Sequence, residues 1–390
     1  MHILLLADGR SPITKSWIKT LQPLGYRISL VSSFPCDPID GVELAAVLPV
    51  AFARFGGSQA GAGNSTRRKG MISRLRPLLA AARHTLGPWT TPYYQRKFAD
   101  IVKTLQPDVV HAMRIPYEGM VAAATPLEFP LVISTWGNDF TLHAPANRLM
   151  GNLTRKAMAR ADALMSDTAL DVQRAREWGF DVVKPALTVV GNGGLDLEKI
   201  AHVSREVERT RPVQVINPRG LRSYVRSDTF FKAIPLVLKE HPDTQFICVS
   251  MAGQKEALNW VEKLGIQDNV KLLPFLSQDE LFREYAKSAI SVSISEHDGT
   301  PNTLLESMAF GCLPVCGDLP SIREWIEPGV NGALVDPAAP EQTAAVINKL
   351  LSEPGYSRGW ASINLKLIKE RADRQKLPGL LDDFYKKVKR

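Results

Sequence analysis

Apolar positions along this chain come in short runs, each followed by a polar loop and then a segment of helical spacing. Residues 2–6 form a short apolar strand, Asp8-Gly9-Arg10-Ser11-Pro12 a loop, and residues 14–24 a helix ended by Gly25. Residues 27–32 give the next strand. Strand, loop, helix and strand in that order open a doubly wound parallel sheet. Further strands are predicted at Val109-Val110-His111 and at residues 131–134 and 187–191, the last leading into Asn192-Gly193-Gly194-Leu195-Asp196. The pattern then starts again at residues 213–217, with strands at 246–250, 270–273 and 289–294. The fold class is therefore α/β in two similar halves. The boundary is placed between Leu195 and Arg211, giving domains at 1–198 and 199–365 and a helical segment at 366–390. The first half lacks Gly-x-Gly-x-x-Gly, so dinucleotide binding has little support.

One corner of the second half carries the most chemistry. The strand at 289–294 is followed by Asp298-Gly299-Thr300-Pro301-Asn302, and then by a helix over 303–310 stopped by Gly311. Gly299 suits a tight turn and Pro301 the first turn of a helix. The free N–H groups of Asn302, Thr303 and Leu304 would point at the crevice beyond the strand. A helix N-terminus of this kind favours an anion such as a diphosphate. Glu306, one turn in, is placed to accept the hydroxyl protons of a ribose, and Asp298 those of a sugar ring. An ordinary capped helix satisfies the same local signals.

Composition narrows the class. A chain of 390 residues with 45% hydrophobic and 23% charged residues is globular and long enough for two domains. The first apolar run, residues 3–7, is too short for a signal peptide or a membrane span, which points to a cytoplasmic protein. The four cysteines, Cys36, Cys248, Cys312 and Cys316, form no Cys-x-x-Cys pair and are read as reduced core thiols.

The net charge of +8 belongs to one segment. No Asp or Glu occurs between Leu44 and Ala99, while that stretch holds nine basic residues: Arg54, Arg67, Arg68, Lys69, Arg74, Arg76, Arg83, Arg96 and Lys97. The rest of the chain is nearly neutral. A Gly-rich linker at 56–63 opens the segment, apolar residues from Met71 to Leu86 interleave with its arginines, and Trp89, Tyr93 and Tyr94 close it. A basic amphipathic insert at about 56–97 with flanking aromatics fits an anionic membrane surface, held by Arg67, Arg68, Lys69, Arg74 and Arg76. A solvated loop and helix is the plain alternative. No nucleic-acid motif accompanies the charge.

The window from Ser295 to Gly332 resembles the signature of the retaining glycosyltransferases of family 4. They carry Glu, seven residues and Glu around a Gly-x-Pro-Asn turn; here Asp298 stands in the first position and Glu306 in the second. Gly311-Cys312-Leu313-Pro314-Val315 matches their Gly-x-Pro-Val step, and Glu324 and Asn331-Gly332 fall where they have Glu and Asn-Gly. The opening loop with Trp17 and the Asn-Gly-Gly-Leu-Asp linker follow the same order, so the resemblance spans nearly the whole chain. It implies a GT-B fold, with two Rossmann-like domains facing across a cleft and a last helix packing on the first domain.

The resemblance also implies transfer of a hexosyl unit from a nucleoside diphosphate sugar to a saccharide or lipid-linked acceptor. UDP is the expected nucleotide by family frequency, with GDP and ADP open. Glu306 would bind the ribose and Asp298 the hexose hydroxyls. Arg219 would hold the diphosphate, with Arg226 as its second ligand and Arg222 as a rival, helped by the backbone at Asn302 and Thr303. Asp298, Arg219 and Arg226 are thus the expected catalytic set. Phe275 would lie near the nucleobase, and Gly9 would let the first loop approach the phosphates. The acceptor would meet His111, Arg114, Trp136, Asn138 and Asp139. Met113 stands where relatives often show a second His, so that contact is missing or is supplied by Arg114. A core role for His111 and a turn role for Asp139 are the alternatives. In the family's mechanism the acceptor attacks the front face of an oxocarbenium-like ion, and the leaving phosphate takes its proton. No Asp-x-Asp occurs, so neither an essential metal nor a cofactor is expected. An isomerase or phosphorylase, and a non-catalytic membrane-bound carbohydrate binder, fit the same scaffold.

Overall fold

The computed structural model describes residues 1–51, 85–190, 193–207, 213–353, 355 and 357–389. The Gly-rich linker and the arginine-rich stretch containing Arg67, Arg68, Lys69, Arg74 and Arg76 lie outside the described residues. The chain divides into two compact units, Met1–Gly193 with Lys376–Arg390, and Gly194–Gln375.

The first unit is built on a parallel sheet in the order β3-β2-β1-β4-β5-β6-β7. Its strands are β1 (His2–Ala7), β2 (Arg27–Ser32), β3 (Glu43–Val47), β4 (Val109–Ala112), β5 (Leu131–Thr135), β6 (Ala163–Ser166) and β7 (Ala186–Thr188). β4 and β5 are buried along their whole length and β1 from Ile3 on, as strands of a parallel sheet covered on both faces are. The order reverses at β1, whose register pairs Ile3 with Ile28 on one side and with Val109 on the other. Such a reversal opens a crevice at the strands' C-terminal ends.

The last helix, Leu377–Val388, belongs to this unit. It buries Leu377, Leu381, Phe384, Tyr385 and Val388, a one-sided stripe at helical spacing, in a core that contains Trp17, Ile18 and Leu21. Trp17 itself lies on the helix Pro12–Leu21, not in the opening loop.

The second unit is a parallel sheet in the order β10-β9-β8-β11-β12-β13. Its strands are β8 (Gln214–Asn217), β9 (Gln245–Cys248), β10 (Val270–Leu272), β11 (Ile290–Ser293), β12 (Leu313–Gly317) and β13 (Ala333–Val335). The order reverses between β8 and β11, where Ile290 pairs with Val215.

The segment expected as one helix at 366–390 is two. Trp360–Arg371 packs its Trp360 and Ile368 within the second unit, and only the helix after it joins the first. The units meet in sequence at Gly193–Gly194, a few residues before the expected boundary. Cys248, Cys312 and Cys316 are buried, Cys36 is half-buried, and all four are free thiols.

Candidate functional site

The reversal in the second unit sets two loops side by side: residues 218–226 after β8 and residues 294–301 after β11. Two backbone contacts stitch them together, from Arg226 N–H to the Ile294 carbonyl and from Glu296 N–H to the Tyr224 carbonyl, each 2.9 Å. The first loop turns on Asn217, whose Oδ1 accepts the Arg219 N–H at 3.1 Å. Gly220, at φ 64°, takes the left-handed conformation that follows.

Arg219 is the centre of the site. Its side chain is 7% exposed. Nη2 donates to Asp298 Oδ2 at 2.6 Å, and Nη1 to Thr303 Oγ1 at 3.2 Å. Its Nε is buried and has no partner among the described residues. A buried donor left unmade costs about 1–3 kcal/mol. Arg219 and Asp298, predicted from sequence, are thus brought together with the first turn of the helix Asn302–Ala309.

The turn between Asp298 and that helix is held from behind. The Ser321 hydroxyl donates to the Asp298 carbonyl at 2.7 Å, and Trp325 Nε1 to Thr300 Oγ1 at 3.0 Å. Asn331 then fixes Trp325 by donating to its carbonyl at 2.8 Å, and pairs with Asn364 at 2.9 Å. The Asn331-Gly332 motif is therefore a strut for the turn. Gly317 is required at the end of β12, because a Cβ there would lie 2.6 Å from the Ser295 carbonyl. Glu324 sits on a short helical turn of the same loop, its carbonyl accepting from Arg371 at 2.6 Å.

Glu306 lies one turn into the helix and is almost fully buried. Burial pushes its carboxyl up to about 7, against the stabilising reach of Gln278 and the Tyr285 hydroxyl. Gln278 Nε2 is 3.5 Å from Glu306 Oε1. Sequence reasoning missed both neighbours. They come from the helix Gln278–Lys287, whose only local signal is the Ser277–Glu280 capping box that starts it. Burial also raises the Asp298 carboxyl, opposed first by Arg219 and then by Arg222 and the Gly299 N–H.

The other arginines of the first loop have partners of their own. Arg226 is gripped by two carboxylates: Nε and Nη2 reach Asp228 at 2.8 and 3.0 Å, and Nη1 reaches Glu296 at 2.8 Å. The bidentate pair holds the Asp228 carboxyl down at about 2. The guanidinium expected as a second diphosphate ligand is thus engaged by carboxylates of the two loops. Arg222 donates to the Tyr224 hydroxyl at 2.9 Å and shares with Arg226, Asp228, Glu256 and Trp260 a pocket of about 360 Å³. Phe275 is 85% exposed.

Two of the five expected acceptor residues in the first unit, His111 and Asp139, are internal struts. His111 is fully buried, with Tyr385 Oη and Ser134 Oγ each 2.7 Å from a ring nitrogen. Burial lowers its pKa to about 3, so it stays neutral. Trp17 Nε1 donates to the same Tyr385 hydroxyl at 3.4 Å. His111 thus anchors the terminal helix, the alternative its sequence left open.

Asp139 is also sealed. Its Oδ1 accepts from Arg114 Nη2 at 2.6 Å, and its Oδ2 from the N–H groups of Ile115 and Trp136 at 3.2 and 3.3 Å. It closes the turn after β5 onto the loop after β4. Trp136 donates its indole N–H to the Met113 carbonyl. Trp136 and Asn138 stay partly exposed. Gly9 has a packing reason: a Cβ there would lie 2.5 Å from Cys36 Sγ. Glu118, which the sequence did not flag, is buried with Ser33 Oγ donating to it at 2.5 Å.

Known proteins agree with this architecture. Residues 200–366 match the model for glycosyl transferases group 1, and residues 9–193 the model for the glycosyl transferase 4-like domain. The D-inositol 3-phosphate glycosyltransferase of Thermobispora bispora is 26% identical over 54% of this chain and 52% of its own. The GDP-mannose:cellobiosyl-diphosphopolyprenol alpha-mannosyltransferase of Xanthomonas oryzae pv. oryzae is 25% identical over 59% of this chain and 60% of its own. The chain thus spans little more than half the length of these curated relatives. The structure of Anabaena Alr3699/HepE in complex with UDP matches at a TM-score of 0.69 and 16% identity, covering 99% of this chain and all of that one. At that identity the likeness speaks for the fold. The chain belongs to the group 1 glycosyl transferases, with a family-4-like first half and the GT-B fold.

Proposed function

We propose that this glycosyltransferase moves a hexosyl unit from a UDP-sugar to a saccharide or lipid-linked acceptor, releasing UDP, with retention of the anomeric configuration. One observation carries the reading. The strand reversal of the second unit gathers a buried arginine with an unpartnered N–H, the start of a helix, and a buried carboxylate one turn further on. A diphosphate fits the arginine and the helix N–H groups, and a ribose fits Glu306.

The chemistry then asks little of the protein beyond placement. Arg219 and the Asn302 and Thr303 amides stabilise the charge that grows on the leaving diphosphate, without a metal or a cofactor. The leaving phosphate takes the acceptor's proton. Asn138, Arg114 and Trp136, the partly exposed members of the first unit's set, are the acceptor contacts in this reading. UDP is favoured because the Anabaena structure contains it. A phosphorylated or polyprenol-linked acceptor is favoured by the names of the curated relatives. Trp89 and Tyr93 are strongly exposed at the end of the basic stretch, which supports contact with the cytoplasmic face of a membrane. Among the described residues no helix is long and apolar enough to cross one.

The test is turnover of UDP-sugars with and without candidate acceptors, with the product anomer read by proton NMR. An α-linked product from an α-linked donor, formed in the presence of EDTA, is expected. An inverted anomer contradicts retention, and loss of turnover on chelation contradicts the metal-free reading. Free epimer or sugar phosphate formed without an acceptor reassigns the chain to an isomerase or phosphorylase.

A further inference from the structure

We propose that Asp298 is a positioning residue for Arg219, and that its carboxylate does not hold the donor sugar. The inference rests on the donor-site reading and reassigns one residue within it.

The geometry of the carboxylate points inward. Oδ2 is engaged by Arg219 at 2.6 Å, and the Gly299 N–H also supports the negative form. The side chain is only 14% exposed. An Asp is one methylene shorter than the Glu found at this place in the family. Its oxygens therefore end about 1.5 Å nearer their own backbone. At that length Oδ2 sits on the arginine of the neighbouring loop.

The arginine's own contacts give the pairing a purpose. A guanidinium is a planar fork, so fixing two of its nitrogens fixes the third. Asp298 holds Nη2 and Thr303 holds Nη1. Nε is then left as the buried donor without a partner. Without Asp298 the fork can turn about its own axis, and the vacant N–H no longer has a set direction. The ion pair thus aims one donor at the place where the diphosphate oxygen arrives. Arg222 lies close enough to help keep the carboxylate ionised while it does so.

The two roles separate on ligands with and without a sugar. Calorimetric titration would use UDP and whichever of UDP-glucose, UDP-galactose and UDP-N-acetylglucosamine the wild type binds most tightly. A positioning role predicts that Asp298→Ala weakens both ligands by the same factor, about tenfold. Asp298→Asn keeps an acceptor oxygen toward Arg219 and is expected to restore both to within about threefold of wild type. Loss of UDP-sugar affinity with UDP affinity unchanged, in either variant, overturns the proposal and returns Asp298 to the sugar. Unchanged binding of both ligands by Asp298→Ala also overturns it. If Asp298→Ala does not fold, Asp298→Asn alone decides, because a sugar contact predicts a selective loss of the UDP-sugar. A wild-type protein that binds none of these ligands sinks the donor-site reading itself, a different outcome from either.

Discussion

The two units repeat one topology and use it in opposite ways. In each, the strand order reverses beside the first strand, and polar residues collect on the loops at that point. In the first unit these residues satisfy one another. His111 is bonded on both ring nitrogens and driven neutral, and Asp139 spends both oxygens on Arg114 and two backbone N–H groups. In the second unit the needs are left open. Arg219 keeps a buried N–H without a partner, and Glu306 is pushed up to about 7 by burial. Topology locates a crevice, but the state of its polar groups tells what it is for. His111 and Asp139 read as struts, and the open donor of Arg219 near buried Glu306 marks the candidate site.

Four substitutions test that contrast, and the largest effect belongs to Arg219. Arg219→Ala should lower kcat/KM for the nucleotide sugar by about 100- to 1000-fold, the usual loss for a donor facing developing charge. Some loss of melting temperature accompanies it, because the buried Asp298 carboxylate is left without its partner, but the mark of the variant is the loss of turnover. Asp139→Ala should show the reverse. Chemical denaturation should show a loss of about 1–3 kcal/mol, from the donors it leaves unpaired, while UDP affinity stays at the wild-type value. If Asp139→Ala instead left stability intact and raised KM for an acceptor, its sealed position would be misjudged.

Glu306 gives an intermediate effect with a pH signature. Its folded pKa, about 7, lies above the ordinary carboxyl value. In the proposed role the charged form accepts from ribose hydroxyls, so nucleotide affinity should fall as pH drops through about 7. Stability should move the other way. The folded protein holds the proton that the unfolded chain releases between the ordinary carboxyl value and about 7, so Glu306 contributes a rise in ligand-free stability as pH falls across that window. Glu306→Gln should weaken UDP by about tenfold, roughly 1.4 kcal/mol, and flatten both pH dependences. Melting curves and titrations at pH 6 and pH 8 are enough to see this. The smallest effect is expected at Arg226. Its charge already serves Asp228 and Glu296, so Arg226→Ala should change UDP affinity by less than about threefold.

Most of the fold was legible in the chain. The strands that are buried on both faces announce themselves as β-branched runs, and both halves show them. The edge strand β3 carries half-exposed residues and no clean alternation, and β6 is Ala-Leu-Met-Ser, without a β-branched residue, so neither stood out. The candidate site was legible where its groups lie on one continuous stretch, from Asp298 to Glu306. Arg219 could be read because it follows the first strand of the second half.

What the sequence hides is who meets whom. Gln278 and Tyr285 reach Glu306 from another helix, and a plain polar residue on a helix gives no sign of it. The engagement of Arg226 did have a signal in its i+2 neighbour Asp228, but Glu296 comes from the far loop. His111 looked equally fit for chemistry and for the core. Its partner Tyr385 lies 274 positions away on the last helix, and only the folded chain decides between the two.

The central claim is that the second unit's strand reversal is the nucleotide site. Calorimetric titration of UDP into the wild type and into Arg219→Ala tests it most directly. Binding by the wild type, weakened at least about tenfold in a well-folded variant, is the predicted result. Equal affinities in the two proteins would contradict the claim and place the nucleotide elsewhere.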